Sequence, residues 1–198
     1  MNAVEGSLLN SPRLEAMNLA RLFTAACAAI ALVGTTLACI EAMDLNKMVS
    51  KTDVAVRGTI TQVRSDRSFM DGSDWPRIFT YLTIEGEDLY TGKQTSVEMA
   101  FMGGTHEGVT EVCSTMPAAA DYRIGNKVVA FSSTTQGWGE VERVLYAGYG
   151  GIYREVSTKK GAVVLGRGKD FAIESNTLVN DLKAGIAKAI EAKTQEVK

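Results

Sequence analysis

The sequence predicts a mainly β domain, a small antiparallel barrel or sandwich that ends in one α-helix. Between residues 53 and 166, several short segments alternate apolar with polar side chains and are rich in β-branched residues, as half-buried strands are. Glycine-containing turns separate the segments, and strands this short and closely spaced favour an antiparallel barrel or sandwich. From about residue 177 to 194 the apolar residues recur every fourth position instead, which is typical of an amphipathic helix.

The first predicted strand, 53–63, shows the alternation most clearly. Val54, Val56 and Ile60 fall on one face, with polar side chains between them, so one side of this strand is expected to face a core. A polar loop, 64–76, separates it from the second strand. The other predicted strands are 78–85, 96–102, 127–132, 142–147, 152–156 and 161–166.

The predicted C-terminal helix follows two residues that can cap it, Ser175 and Asn176. Its apolar stripe contains neither Trp nor Phe, and lysines occupy the opposite side. We therefore expect the helix to pack on the barrel rather than to bind a membrane surface. The stripe consists of Leu178, Leu182, Ile186 and Ile190.

Residues 17–39 are typical of a bacterial export signal. Arg21 precedes an uncharged apolar run, Leu22–Leu37, and small residues follow it. This run is shorter than the roughly 20 residues that a membrane-spanning helix needs. We therefore expect residues 1–38 to form the signal, with Met17 as a second candidate for the translation start.

Cleavage between Ala38 and Cys39 leaves two alternatives for the new N-terminal residue. The stretch from Thr36 to Cys39 resembles the lipobox that directs lipidation of a cysteine, although its leucine stands two places before the cysteine rather than three. Otherwise Cys39 and Cys113 are the two cysteines of the exported protein, and an oxidising compartment favours a disulfide bond between them. Lipidation blocks the thiol of Cys39, so the two outcomes exclude each other.

The composition narrows the possible functions. The chain has 198 residues and a formal net charge of −2, so it lacks the basic excess of a nucleic-acid-binding domain. One His and three Cys leave little material for a common metal site, and we predict neither a metal nor a cofactor. Without the signal, about 160 residues remain, which is enough for one domain with its own core. We place a barrel domain at 39–157 and a C-terminal strand and helix at 158–198.

Several stretches of the chain resemble the motifs of a widespread family of uncharacterised exported bacterial β-domains. They are Thr52–Val63, Thr80–Ile84, Gly92–Lys93, Gly103–Gly104 and Tyr122–Phe131. The resemblance extends from about residue 44 to residue 194, and its motifs are structural and imply no chemistry. It implies structural turns at Gly103, Gly104, Pro117 and Gly125.

The chain is more distantly similar to the netrin-like OB fold of the tissue inhibitors of metalloproteinases. Those proteins also begin with a cysteine after signal removal, continue with a strand like residues 50–63, and bond the first cysteine to one resembling Cys113. The inhibitors begin Cys-x-Cys, whereas residues 39–41 contain one cysteine. The resemblance implies a small OB-like barrel, a Cys39–Cys113 disulfide bond, and a metalloprotease partner that contacts Cys39 and Ile40.

Two sets of residues invite functional interpretations that compete with simple packing. One set has soft side chains that suit copper(I), but Met99 falls on the core face of a predicted strand and packing is the stronger interpretation. It consists of Met99, Met102, His106, Cys113 and Met116. The other set is aromatic and suits ligand binding on an OB-like face, although most of it is expected to be core. It consists of Trp75, Trp138, Tyr146, Tyr149 and Tyr153.

These observations predict an exported, non-enzymatic binding domain of the cell envelope. The lone His106 has no Ser or Cys in a glycine elbow near it in sequence, so a catalytic triad is not indicated. We expect a protein partner, conceivably a metalloprotease, and no nucleic acid. Membrane attachment is expected only through a lipid on Cys39. The alternatives are a structural envelope lipoprotein anchored through Cys39 and a small hydrolase.

Overall fold

The computed structural model describes residues 42–196, which form ten strands and two α-helices. The helices are α1 (Leu45–Lys51) and α2 (Val179–Glu196), and a 3-10 turn spans Gly148–Gly151. The longer strands are β1 (Val54–Ser68), β2 (Arg77–Asp88), β3 (Gln94–Met102), β6 (Lys127–Thr134) and β8 (Ile152–Thr158). The shorter strands are β4 (Gly104–His106), β5 (Val109–Glu111), β7 (Arg143–Leu145), β9 (Gly161–Val164) and β10 (Thr177–Leu178).

Five strands close into a barrel in the order β1–β2–β3–β7–β6. Strand β1 pairs antiparallel with both β2 and β6, and β6 pairs antiparallel with β7. The ring closes through one parallel pairing, between Ala100 of β3 and Val144 of β7. The structure therefore confirms the predicted mainly β fold, a small OB-like barrel with a C-terminal helix.

The barrel interior contains the apolar face that the alternation of β1 predicts. Val56 and Ile60 are fully buried there, and the regular pairing of β1 with β2 shifts by one residue between Ile60 and Gln62, as at a bulge that bends a strand. Gly58 lies opposite Gly86, where a Cβ atom on Gly58 would come within 2.2 Å of the Glu85 carbonyl oxygen. The two strands can approach this closely only because both residues are glycines.

A second core lies outside the barrel, where α1 and α2 cover the outer face of β6 and its neighbours. Phe131 and Tyr153 point into it from the sheet, and Leu182 and Ile186 point into it from α2. Their burial explains why α2 forms, since an amphipathic helix gains most of its stability from packing its apolar face. We call this surface the helix-covered side.

The start of the C-terminal helix differs from the prediction. Thr177 and Leu178 form β10 against β9, and the helix begins at Val179. The side-chain oxygen of Asn176 accepts a hydrogen bond from the backbone N–H of Gly166 (3.0 Å) and so does not cap the helix as predicted. Leu178 therefore belongs to a sheet edge rather than to the helical stripe.

Candidate functional site

The N-terminal site that the resemblance implies cannot be placed. Cys39 and Ile40 lie outside the described residues, and so does any lipid or disulfide bond that involves Cys39. Cys113 follows β5 with a half-buried side chain, and it has no disulfide partner among residues 42–196.

The predicted turn residues lie on both sides of the β4–β5 hairpin. Gly103 and Gly104 have φ angles of +106° and +138°, and a Cβ atom on Gly104 would stand 2.3 Å from the Thr80 hydroxyl oxygen. Gly125 has φ +88°, and its N–H donates to the carbonyl of Ile60 at 2.8 Å. Pro117 is buried between these two turns. Of these three glycines, Gly104 is the one at which a Cβ atom would make the closest contact.

The β4–β5 hairpin, which the sequence did not indicate, is fastened to the start of β2. The Glu111 carboxylate accepts hydrogen bonds from the Arg77 guanidinium and from the backbone N–H of Ile78 (2.9 Å). Burial alone would raise the pKa of Glu111, but these hydrogen bonds and the charge of Arg77 outweigh it and hold the pKa below its usual value. The Arg77–Glu111 ion pair therefore joins the hairpin to β2, although the two residues are far apart in sequence.

His106 holds the other side of the hairpin and shows no catalytic arrangement. Its Nδ1 atom lies 2.9 Å from the Ser65 carbonyl oxygen, and its Nε2 atom lies 3.8 Å from carboxylate oxygens of both Asp66 and Glu107. No Ser or Cys side chain hydrogen-bonds to this ring within residues 42–196. The imidazole thus links the hairpin to β1.

Large apolar side chains are exposed at this end of the barrel. In the β1–β2 loop, Phe69 is 58% exposed and Trp75 is 76% exposed. On and just after the hairpin, Val109 is 50% exposed and Val112 is 79% exposed. The Arg77–Glu111 ion pair brings these two segments together. We call the four side chains the apolar end.

The other aromatic candidates are mostly packed, as expected. Tyr153 is 1% exposed, and Trp138 is half-buried with its ring 5.5 Å from that of Phe79. Trp138 belongs to the β6–β7 loop, which also accepts a hydrogen bond at the Gly137 carbonyl from the backbone N–H of Asp71 (2.8 Å). The loop therefore lies over the outer face of β2 and β3, where Phe79 is fully buried.

A groove of about 210 Å³ opens between β3 and β7. Its lining is acidic, with an apolar contribution from Val141 and the ring of Tyr81. The Arg64 guanidinium lies 3.8 Å above the Tyr81 ring and 3.0 Å from Glu98. The full lining consists of Tyr81, Glu98, Met99, Glu140, Val141, Glu142 and Arg143.

The soft side chains considered for copper do not converge. Met99 lies in the barrel core, whereas Met102 packs outside the barrel near Trp138. No group of three or more His, Cys, Asp or Glu side chains that could hold a metal ion occurs within residues 42–196. In the same part of the chain, no helix is both long and apolar enough to span a membrane.

No protein-family model, curated protein or solved structure matches this chain. Two surfaces of the described residues are distinctive, the apolar end and the acidic groove. Neither was indicated by the sequence, because Phe69, Val109 and Val112 stand in segments without periodicity. The one available signal was the presence of Phe69 and Trp75 in an otherwise polar loop.

Proposed function

We propose that this chain is an exported, non-enzymatic domain of the cell envelope that binds a protein partner through the apolar end. The observation that carries the proposal is the exposure of Trp75 at 76%, together with Phe69 and Val112. Large exposed apolar side chains favour association, because burying them against a partner removes apolar surface from water. Exposed tryptophans are also frequent centres of binding energy in protein interfaces.

A protein partner is favoured over a nucleic acid or a sugar. In OB folds, aromatic side chains on the outer face of the second and third strands stack against bases and sugar rings. Here Phe79 is fully buried and Tyr81 is 6% exposed, since the β6–β7 loop covers that face. Three glutamates line the adjacent groove, and their charge opposes a phosphate backbone.

Position-specific photo-crosslinking tests the proposal. A photo-reactive phenylalanine analogue replaces Trp75 in one variant and Lys188, which is exposed on α2, in a matched control. In the cells that produce the protein, we expect discrete protein adducts from position 75 and none from position 188. Adducts of equal size and yield from both positions, or none from position 75, would contradict a specific apolar interface.

Export is a separate part of the proposal and rests on the pattern of residues 17–39. We expect the envelope form to begin at Cys39. Intact-mass analysis distinguishes the alternatives, because lipidation adds the mass of a diacylglyceryl group to Cys39. An envelope form that retains Met1 or Met17 would refute the proposed cleavage.

A narrower form of the proposal makes the partner a zinc metalloprotease, as the resemblance to the metalloproteinase inhibitors implies. In that mode the amino group and carbonyl of Cys39 would bind the catalytic zinc. The mature protein is compared with a variant that carries one extra residue before Cys39. Inhibition lost in the variant supports this mode, whereas equal inhibition by both forms or inhibition by neither ends it.

A further inference from the structure

The acidic groove lies where the barrel is least tightly closed. Within the described residues, Ala100 and Val144 are the one pair that joins β3 to β7. Strand β3 continues beyond this pair to Gln94 without a partner on that side. A gap therefore remains beside β3, and the β6–β7 loop forms its other wall. An open strand edge of this kind is accessible to an extended segment of another chain.

The groove carries an excess of negative charge. Its lining holds three carboxylates, those of Glu98, Glu140 and Glu142, and one guanidinium, that of Arg143. Glu98 is paired with the Arg64 guanidinium at 3.0 Å. Arg143 is engaged by the Asp53 carboxylate outside the groove. Glu140 and Glu142 are exposed and form no ion pair within residues 42–196. The two glutamates are thus available to a cation.

Tyr81 is an unpartnered polar group in the lining. The residue is 94% buried, since 6% of it is exposed, yet its hydroxyl has no hydrogen-bond partner among residues 42–196. Arg64 stacks on its ring and fixes its orientation. Burial raises the pKa of the Tyr81 phenol, and the nearby charges of Glu98 and Glu140 raise it further, so the hydroxyl stays protonated. The hydroxyl itself is not enclosed, because the fully buried side-chain oxygens without a partner among residues 42–196 are those of Ser132 and Tyr153. The Tyr81 hydroxyl instead opens into the groove, where a ligand or water can supply its partner.

The shape of the groove selects an organic cation rather than a metal ion. A metal such as Ca²⁺ or Mg²⁺ requires several oxygens within about 2.0–2.6 Å of one point, and no such set of carboxylates occurs within residues 42–196. The glutamates instead surround a space of about 210 Å³ that includes Met99 and Val141. Met99 is directed into the barrel core, so Val141 and the ring of Tyr81 supply the apolar part of the lining. A small apolar wall beside two exposed carboxylates fits an alkyl chain with a charged tip, as in lysine and arginine.

We propose that the groove between β3 and β7 binds a lysine or arginine side chain from an extended segment of a protein partner. The alkyl chain lies against Val141, and the cationic tip lies between the carboxylates of Glu140 and Glu142. The Tyr81 hydroxyl supplies a polar contact deeper in the groove. This site is distinct from the apolar end and does not depend on it.

The test is an NMR titration of the ¹⁵N-labelled protein in its processed form. The probe is the peptide acetyl-Ala-Lys-Ala-amide, and the matched control contains norleucine, which keeps the alkyl chain but lacks the charge. We expect the lysine peptide to shift the backbone amides of Glu98 and of residues 140–143 to saturation. The norleucine peptide is expected to leave them unchanged. Equal shifts from both peptides would overturn the proposal.

Variants assign the effect to the groove. The double variant Glu140→Gln, Glu142→Gln removes two exposed charges without loss of packing, and we expect it to weaken binding of the lysine peptide by about tenfold. Tyr81→Phe is expected to weaken it by about threefold. Glu191→Gln, which removes one exposed carboxylate from α2, is expected to leave the affinity unchanged and serves as the matched control. An unchanged affinity in the double glutamine variant would refute the site.

Two further titrations distinguish binding of a lysine peptide from binding of other cations. If n-butylamine shifts the same amides at the same concentration as the peptide, the groove binds free amines and the proposed protein segment is wrong. If magnesium chloride at matched ionic strength displaces the peptide while sodium chloride does not, the site is a cation site of another kind. We expect neither result, because the peptide backbone adds contacts along β3.

Discussion

Similar apolar side chains are buried on the helix-covered side and exposed at the apolar end. On the helix-covered side, Phe131 and Tyr153 point away from the barrel and are almost fully buried beneath α1 and α2. At the apolar end, Phe69 and Trp75 also point away from the barrel, but more than half of each side chain is exposed. Strand β1 follows α1 in the chain and ends immediately before Phe69. It therefore runs from the helix-covered side to the apolar end.

The two regions also differ in how deeply their ion pairs are buried. On the helix-covered side, Arg57 donates two hydrogen bonds to Glu155, at 2.6 and 2.9 Å, and the Glu155 side chain is 3% exposed. Nearby, Lys183 of α2 bonds to Glu87, which pairs with Arg57 across β1 and β2. At the apolar end, the Arg77 and Glu111 side chains are 41% and 22% exposed, more than Arg57 and Glu155 but similar to Lys183 and Glu87 at 35% and 25%. Exposed ion pairs contribute little to stability, whereas removing one partner of a buried pair leaves an uncompensated charge and is destabilising.

The largest difference in the free energy of unfolding is expected between Ile186→Ala and Trp75→Ala. Ile186 is fully buried under the helix, so its truncation leaves a cavity and lowers the free energy of unfolding by about 3 kcal/mol. Trp75 loses no buried contact on truncation, and its variant should stay within about 0.5 kcal/mol of the parent. Urea denaturation followed by circular dichroism measures both.

Lys188→Ala is the control for Ile186→Ala, because it changes an exposed position on the same helix. We expect it to be neutral, within about 0.5 kcal/mol. A loss in Trp75→Ala as large as that in Ile186→Ala would mean that the apolar end is part of the structural core. The distinction between a buried helix-covered side and an exposed apolar end would then be wrong.

A smaller loss is expected when the buried ion pair is broken. Glu155→Gln keeps the shape of the side chain but leaves the Arg57 guanidinium without its carboxylate. Arg57 is partly exposed, with a side-chain exposure of 29%, so water offsets part of the loss and we expect about 2 kcal/mol. Glu191→Gln, at an exposed position on α2, is the control. A loss of less than about 0.5 kcal/mol in Glu155→Gln would show that this pair does not fasten the helix-covered side.

The sequence predicts the helix-covered side far better than the apolar end. The recurrence of Leu182, Ile186 and Ile190 at every fourth position indicates which face of α2 is buried on that side. The alternation that begins at Val54 likewise indicates which face of β1 is buried, but that face lies inside the barrel. Both signals are local, since each is set by the period of one element. The C-terminal helix begins two residues later than predicted, because the pairing of β10 with β9 is a tertiary contact.

The surfaces offered to a partner arise from contacts between distant segments. The apolar end depends on Arg77 meeting Glu111, and the groove depends on β3 meeting the β6–β7 loop, which begins more than thirty residues after β3 ends. No period in the sequence encodes such contacts, and a three-residue strand such as β5 is too short to show alternation. The exposed aromatic Trp75 was identifiable as a candidate, but its neighbours were not.

The smallest predicted effect concerns the pH dependence of the apolar end. The folded pKa of Glu111 lies below its usual value of about 4.3, so the carboxylate contributes stability above that value. This contribution is lost as the pH falls through the folded pKa, when protonation weakens the bonds to Arg77 and Ile78. Because the Arg77 side chain is 41% exposed, solvent screens the pair and we expect a contribution below about 1 kcal/mol.

Glu111→Gln tests this assignment, with Asp74→Asn as a control that removes one exposed carboxylate from the neighbouring loop. Urea midpoints are measured at pH 7 and pH 3, and hydrogen exchange is measured for the amides of β4 and β5. We expect Glu111→Gln to reduce the loss of stability between pH 7 and pH 3 and to speed exchange in the hairpin at pH 7. Exchange should stay unchanged under the helix-covered side. If the hairpin exchanges as slowly as in the parent, the Arg77–Glu111 pair does not hold it, and the positions of Val109 and Val112 must be fixed by the packing of β4 against β1 and β2.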